Sequence, residues 1–346
     1  MYNINDNLFT WITGGMSKSR YNFCLSGMPE LDLDSIGVKV DYEEYRKRRE
    51  NIEKEFNELI GQMFNVEADQ VLSTTGGTEG IALGSIFLHK NSGCIDVPVP
   101  EYEPMYRVPE SMGFKTERVN PYVKLNPGRD HSLSTTVPNN PTGDLEGDRS
   151  LEEYLDGKHE VYIDETFREF MFPEKPYTLL HKYPEAVVST TMTKFFGGSS
   201  WRVGWMLGTA KRIRELRSYR SLTTGSTARF SLYACMKILE KRNEVQKIVK
   251  NVMDINRKTL KEMLPRAGLK FTTPDRSSFV YVHTDEDSSP MALDMLSKEG
   301  IFVSPGKYFG IPTGYRLCIT SSPDQFRKDL EKLCEYHEGK NKSGPV

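Results

Sequence analysis

Between residues 70 and 207, short apolar or β-branched runs alternate with helical stretches, and this alternation restricts the fold more than any other feature. The runs fall at 70–75, 94–99, 134–137, 161–163, 186–190 and 203–207, each bounded by turn residues. Residues 79–89, 151–155 and 211–219 carry helical spacing between or after them. Strands that return through helices pair in parallel, and a parallel sheet must be covered on both faces. The expected fold class is therefore α/β, with a mostly parallel central sheet flanked by helices. Ahead of the sheet, Ile52, Phe56, Leu59, Ile60 and Met63 recur at helical intervals, which predicts one helix over 42–63. Behind it, a long helical region over 231–263 leads to a smaller α+β segment. That segment has strands expected at 278–283 and 315–320 and helices at 292–299 and 324–336. A boundary near 250 gives a large domain, 41–250, and a discontinuous small one made of 1–40 and 251–346. Residues 339–346 read as a solvated tail.

The charge balance narrows the function. Forty-six basic residues face 48 acidic ones, for a formal net charge of −2, so bulk positive charge is not available to hold nucleic acid. No run reaches the ~18 apolar residues of a membrane helix. Neither nucleic acid nor membrane is an expected partner. The five cysteines are scattered, with no CxxC pair, which fits a reducing compartment. The first residues lack the basic start and apolar stretch of a signal peptide, and a cytoplasmic location is expected.

In open α/β sheets, ligands bind just beyond the carboxyl ends of the strands. Four of the expected strand ends carry unusual residues: Thr75, Gly76, Gly77 and Thr78; Asn139 to Gly143, with Pro141 and Thr142 between; Asp164, Glu165, Thr166 and Phe167; and Thr191, Met192, Thr193 and Lys194. Arg202 follows eight residues after Lys194. On these residues the sequence resembles the class I and II aminotransferases, which are fold type I pyridoxal 5'-phosphate (PLP) enzymes. It is similar in particular to the short members near histidinol-phosphate aminotransferase. The resemblance runs from Ser26 and Gly27 to Arg316. It implies the PLP-dependent transferase fold, PLP as cofactor, a 2-amino acid and a 2-oxo acid as small-molecule partners, and a homodimer.

Each role implied by the resemblance makes physical sense. Lys194 would carry the cofactor as a Schiff base and then move protons. A lysine is by default solvated, and a reactive one needs its pKa lowered by desolvation or a nearby positive charge. Asp164 would pair with the pyridine nitrogen and keep the ring electron-poor; read alone, it caps the next helix. Asn140 would hydrogen-bond the ring hydroxyl, aimed by the turn that Pro141 and Gly143 favour. Gly77 and Thr78 at a helix start, with Thr191 and Arg202, would hold the phosphate through free N–H groups, hydroxyls and a planar guanidinium. Tyr102 would stack on the ring and Tyr106 would line the same pocket, although aromatics are by default packing residues. Arg316 stands in an apolar run, where it is costly unless paired, and would clamp the substrate α-carboxylate. The backbone at Gly27 would face that carboxylate. Tyr42, ahead of Tyr45, would reach the phosphate of a neighbouring subunit. No metal is called for.

Two positions depart from the pattern. Phe167 replaces the tyrosine usual three residues after the aspartate, which leaves Asn140 as the main donor to the ring oxygen. Phenylalanine there also resembles threonine-phosphate decarboxylase relatives, so PLP-dependent decarboxylation stands as an alternative. Ser304 occupies the place where histidinol-phosphate aminotransferases carry a phosphate-binding arginine. The substrate side chain is thus unassigned.

Overall fold

The structure is a computed structural model, and it describes residues 5–121, 128–145, 147–272 and 274–343. A two-residue strand, β1 (Tyr21–Asn22), precedes the seven strands of a large sheet. These are β2 (Val71–Thr74), β3 (Cys94–Pro98), β4 (Thr116–Val119), β5 (His131–Thr136), β6 (Val161–Asp164), β7 (Val187–Thr191) and β8 (Gly204–Leu207). Their spatial order is β2-β8-β7-β6-β5-β3-β4. β8 runs antiparallel to both neighbours and every other pairing is parallel. The central strands β6 and β7 are buried along their whole length, as strands covered on both faces must be.

Helix Gly76–Asn91 lies closer to the sheet than a side chain would allow. A Cβ added at Gly84 would sit 2.6 Å from the Tyr162 ring, and one at Gly80 would sit 3.1 Å from Ser189 Cβ. This close approach sets the helix axis beneath the strand ends, so that its first turn opens at the mouth of the sheet.

A second, antiparallel sheet follows, in the order β12-β13-β10-β9. It comprises β9 (Lys270–Thr272), β10 (Phe279–Asp287), β12 (Ser304–Pro305) and β13 (Thr313–Cys318), while β11 (Ile301–Phe302) pairs with β1 in parallel. The N-terminal segment lies against these strands. Phe23 N donates to Phe302 O (2.8 Å), Cys318 N to Phe23 O (2.9 Å), and Trp11 Nε1 to Val303 O (2.9 Å). All five cysteines are buried free thiols.

Several element boundaries differ from expectation. The helix over 42–63 is two, Tyr42–Arg48 and Ile52–Phe64. The first buries no residue and is held by its Asp41 cap, so nothing carries it into the apolar stripe that starts at Ile52. The region 231–263 likewise divides into Arg229–Leu239 and Arg242–Arg266. The last helix, Pro323–Ser343, takes up most of the expected tail, of which 344–346 lie outside the described residues. Edge strand β4 was not foreseen because Glu117 and Arg118 break its apolar pattern, a common way to protect a sheet edge. Helix Leu8–Met16, closed by a capping box at Asn7, was also missed.

The Gly84 contact yields a stability prediction. Gly84→Val should cost about 1–3 kcal/mol through overpacking against Tyr162. Gly14→Ala, where nothing lies within 4 Å, should instead stabilise by about 0.4–1 kcal/mol through the unfolded chain. Urea unfolding midpoints of the two variants should move in opposite directions.

Candidate active site

The carboxyl ends of β5, β6 and β7 open, with the first turn of helix Gly76–Asn91, onto a cleft with about 760 Å³ of empty space. Gly77, Thr78, Tyr102, Asn140, Asp164, Thr191, Lys194, Arg202 and Arg316 all line it. Nine of the residues singled out in the sequence therefore converge, from segments far apart in the chain.

One corner is built for an anion. Gly76 has φ +76°, and a Cβ there would meet the Arg202 guanidinium at 2.7 Å. Arg202 itself is held in the left-handed region, φ +53°, a conformation that costs a non-glycine residue and persists where the surroundings enforce it. Glycine lets that guanidinium lie against the backbone at the helix start, beside N–H groups with no helical partner. The Thr191 hydroxyl donates to Val203 O (2.9 Å), so its proton is already committed. Thr166, to which the sequence assigns no role, lines the same corner, and its buried hydroxyl has no hydrogen-bond partner. Its place two residues after a strand-end aspartate was the only available signal. An orphaned hydroxyl, free N–H groups and a guanidinium together fit a phosphate.

In the middle of the cleft Lys194 Nζ donates to Ser26 Oγ (3.1 Å). Burial pushes its amine down to about 8, helped by the positive charge of Arg316. Asp164 is buried, and desolvation raises its carboxyl above the usual range. Thr166, whose N–H donates to the carboxylate at 2.8 Å, and the Lys194 charge oppose that rise. A buried carboxyl of this kind suits a cationic ring nitrogen. The Lys194 amine also lies 6.0 Å from the Phe167 ring centroid.

At the other end stands Arg316, 2% exposed. It donates to Asn140 Oδ1 (2.8 Å), Cys24 O (3.0 Å) and Ser304 Oγ (3.2 Å), all neutral oxygens, and its Nε has no partner. Among the described residues no carboxylate pairs with it, so it presents an unmatched positive charge to the cleft. Arginine has only donors, so Asn140 must turn its oxygen toward it and its N–H₂ elsewhere. Asn140 N in turn donates to Thr136 Oγ1 (2.9 Å), whose hydroxyl donates to the buried Glu101 carboxylate.

Three expected residues stand apart. Gly27 does not line the cleft; its backbone passes so close to Lys194 that a Cβ would lie 2.8 Å from Thr193 O, and its neighbour Ser26 faces the cleft instead. Tyr106 is turned away: it packs, 4% exposed, in an apolar cluster with Phe87 and Val97, under the Arg118 guanidinium at 4.2 Å. Tyr42 is 61% exposed and packs, tilted against Tyr45 and edge-on to Phe230, outside the lining of this chain's own cleft. At the amino ends of the strands, Cys94, Asp96, Glu117 and His131 form a group of metal-ligand type. There Asp96 already accepts from His131 (2.8 Å) and Tyr154, which accounts for the group without an ion.

The profile of the family described as aminotransferase class I and II matches residues 44–335. An LL-diaminopimelate aminotransferase of Natranaerobius thermophilus is 26% identical over 85% of this chain and 82% of its own. A histidinol-phosphate aminotransferase of Brevibacillus brevis is 28% identical over 58% of this chain and 56% of its own. The crystal structure of a PLP-dependent aminotransferase from Streptococcus suis superimposes with a TM-score of 0.82 at 19% identity, covering 95% of this chain and 96% of the other. The chain belongs to the class I and II aminotransferases. It is a PLP-dependent aminotransferase, with the α/β fold of that class.

Because only the neutral amine attacks an aldehyde, a lysine at about 8 is reactive in roughly one molecule in ten at pH 7. Cofactor capture by the apoprotein should therefore accelerate as pH rises through about 8. Arg316→Gln should move that midpoint upward, since the lost charge helped to hold the amine down. Stopped-flow absorbance against pH reads both effects, and an unmoved midpoint would contradict the stated cause.

Proposed function

We propose that this cleft binds PLP and that the chain's residues there move an amino group from a 2-amino acid to a 2-oxo acid. The observation that carries the reading is the convergence of Lys194, Asp164 and the unpaired Arg316 in one cleft. PLP supplies the electron sink that lets the substrate Cα–H bond break. Lys194 takes that proton on Nζ and returns it two atoms further along, on the carbon beyond the nitrogen, as general base and then general acid. Ser26 Oγ holds the amine while it waits. Arg316 grips the α-carboxylate with its guanidinium and so fixes the direction of the Cα–H bond. Asp164 answers the ring nitrogen, Asn140 donates to the ring oxygen, and Tyr102 stacks on the ring. Gly77, Thr78, Thr166 and Arg202 hold the phosphate, with Thr191 orienting the loop beside it.

The same reading divides the chain into a cofactor domain, 41–250, and a small domain of 1–40 and 251–346. Exposed Tyr42 and Phe230, clustered with half-buried Tyr45, support a homodimer in which Tyr42 reaches the partner's cofactor. Among the described residues no helix is long and apolar enough to cross a membrane, and we propose a cytoplasmic enzyme. Histidinol phosphate as substrate is disfavoured by Ser304, which is buried and accepts from Arg316 (3.2 Å), so it offers an anion no charge.

Titrating the yellow holoenzyme with single amino acids should bleach its visible band, and a 2-oxo acid should restore it. Release of CO₂ with no such cycle would point to the decarboxylase instead. Lys194→Ala should bind cofactor without the protein-linked colour. Phe167→Tyr, by adding a second donor near the ring oxygen, should lower the pH at which the bound cofactor changes colour; an unchanged titration would refute that account of the position.

A further inference from the structure

Helix Leu8–Met16 turns three apolar side chains, Leu8, Phe9 and Ile12, toward the cleft, and Ile81 adds a fourth from the opposite element. The helix is fixed where it stands. Trp11 Nε1 donates to Val303 O (2.9 Å), Leu8 N donates to the buried Glu103 carboxylate, and Leu8 packs against Tyr308 and Phe309. Phe9 nevertheless remains 43% exposed, a large ring left partly open at the cleft.

With the phosphate corner, the ring contacts and the carboxylate clamp assigned as above, this apolar wall is the part of the cleft left for the substrate's side chain. The cations lining the cleft among the described residues are Lys194, Arg202 and Arg316, and each already has a task. The Asp6–Lys307 pair (3.0 Å) close by in sequence is internally neutralised and is not part of the lining. A charged side chain laid against Leu8, Phe9 and Ile12 would lose water and gain no partner, whereas an apolar one would cover Phe9.

Resting on that reading of the site, we propose that the amino-acid substrate has an apolar side chain of leucine to phenylalanine size, seated against Leu8, Phe9 and Ile12. Single-turnover bleaching of the holoenzyme tests this. Leucine, methionine and phenylalanine should react at least about tenfold faster, as apparent second-order rate constants, than aspartate, lysine or O-phosphoserine. Ile12→Ala should lower the ratio of the leucine rate to the alanine rate by about tenfold, the lower end of what a methylene contact contributes in an apolar pocket. Without turnover, isocaproate should bind more tightly than succinate when followed by tryptophan fluorescence. Charged amino acids matching the best apolar one, an unchanged ratio in Ile12→Ala, or tighter succinate binding would each overturn the substrate class and leave transamination standing. Failure of every amino acid to bleach the colour would overturn the underlying reading instead.

Discussion

A guanidinium buried without a counter-charge organises this cleft. Desolvating a lone cation is expensive, and a fold keeps one only where something else compensates. Around Arg316 the compensation is partial: three neutral oxygens accept from it, and the rings of Phe279 and Phe309 lie 5.5 and 5.1 Å from its central carbon. The remaining deficit makes the site a receptor for an anion. The same charge bears on Lys194, whose amine is depressed first by burial and next by Arg316. In the proposed reading one costly residue thus both attracts a carboxylate and prepares the nucleophile.

The two effects need fixed geometry, and the two sheets provide it from opposite sides. Arg316 sits on β13 between Tyr281 and Ser304, locked by pairing on both edges. Lys194 and Asp164 stand at the ends of β7 and β6, in the buried heart of the large sheet. The N-terminal segment bridges them: Met28 N donates to Lys194 O (2.9 Å), while Cys24 O accepts from Arg316. Gly27 between these contacts can only be glycine if the chain is to pass Thr193 O at that distance.

Most of this was legible because strand ends in an α/β sheet are few and chemistry collects there. Lys194, Asp164, Asn140 and Arg202 could be placed together because their order along the expected strand ends resembles the aminotransferase pattern. Arg316 betrayed itself as a charge in an apolar run. Tyr106 misled because an aromatic four residues past Tyr102 gives no sign of which side of helix Pro104–Ser111 it will occupy; apolar packing against Phe87 decided that. Thr166 was overlooked because a threonine after a strand is ordinary, and its orphaned hydroxyl exists only in three dimensions. The helix at Leu8–Met16 was missed for a related reason. Nine residues with two glycines carry a weak helical pattern, and only contact with residues 302–309 gives it a reason to form.

Phe167 shows what the departure from the family pattern does in physical terms. Its ring stands edge-on to Phe279 at 4.8 Å, in the same aromatic group that flanks Arg316. With no hydroxyl at that position, a cofactor oxygen in the proposed pose would look to the Asn140 N–H₂ for its hydrogen bond. The direction of that N–H₂ is set by Arg316, which holds the other end of the amide. When a carboxylate engages Arg316 it competes with Asn140 Oδ1 for the same guanidinium, and any rotation of the amide is felt at the ring oxygen. A second donor would buffer that oxygen against such a change. In the proposed pose the carboxylate clamp and the polarity of the cofactor site would be joined through one side chain, Asn140.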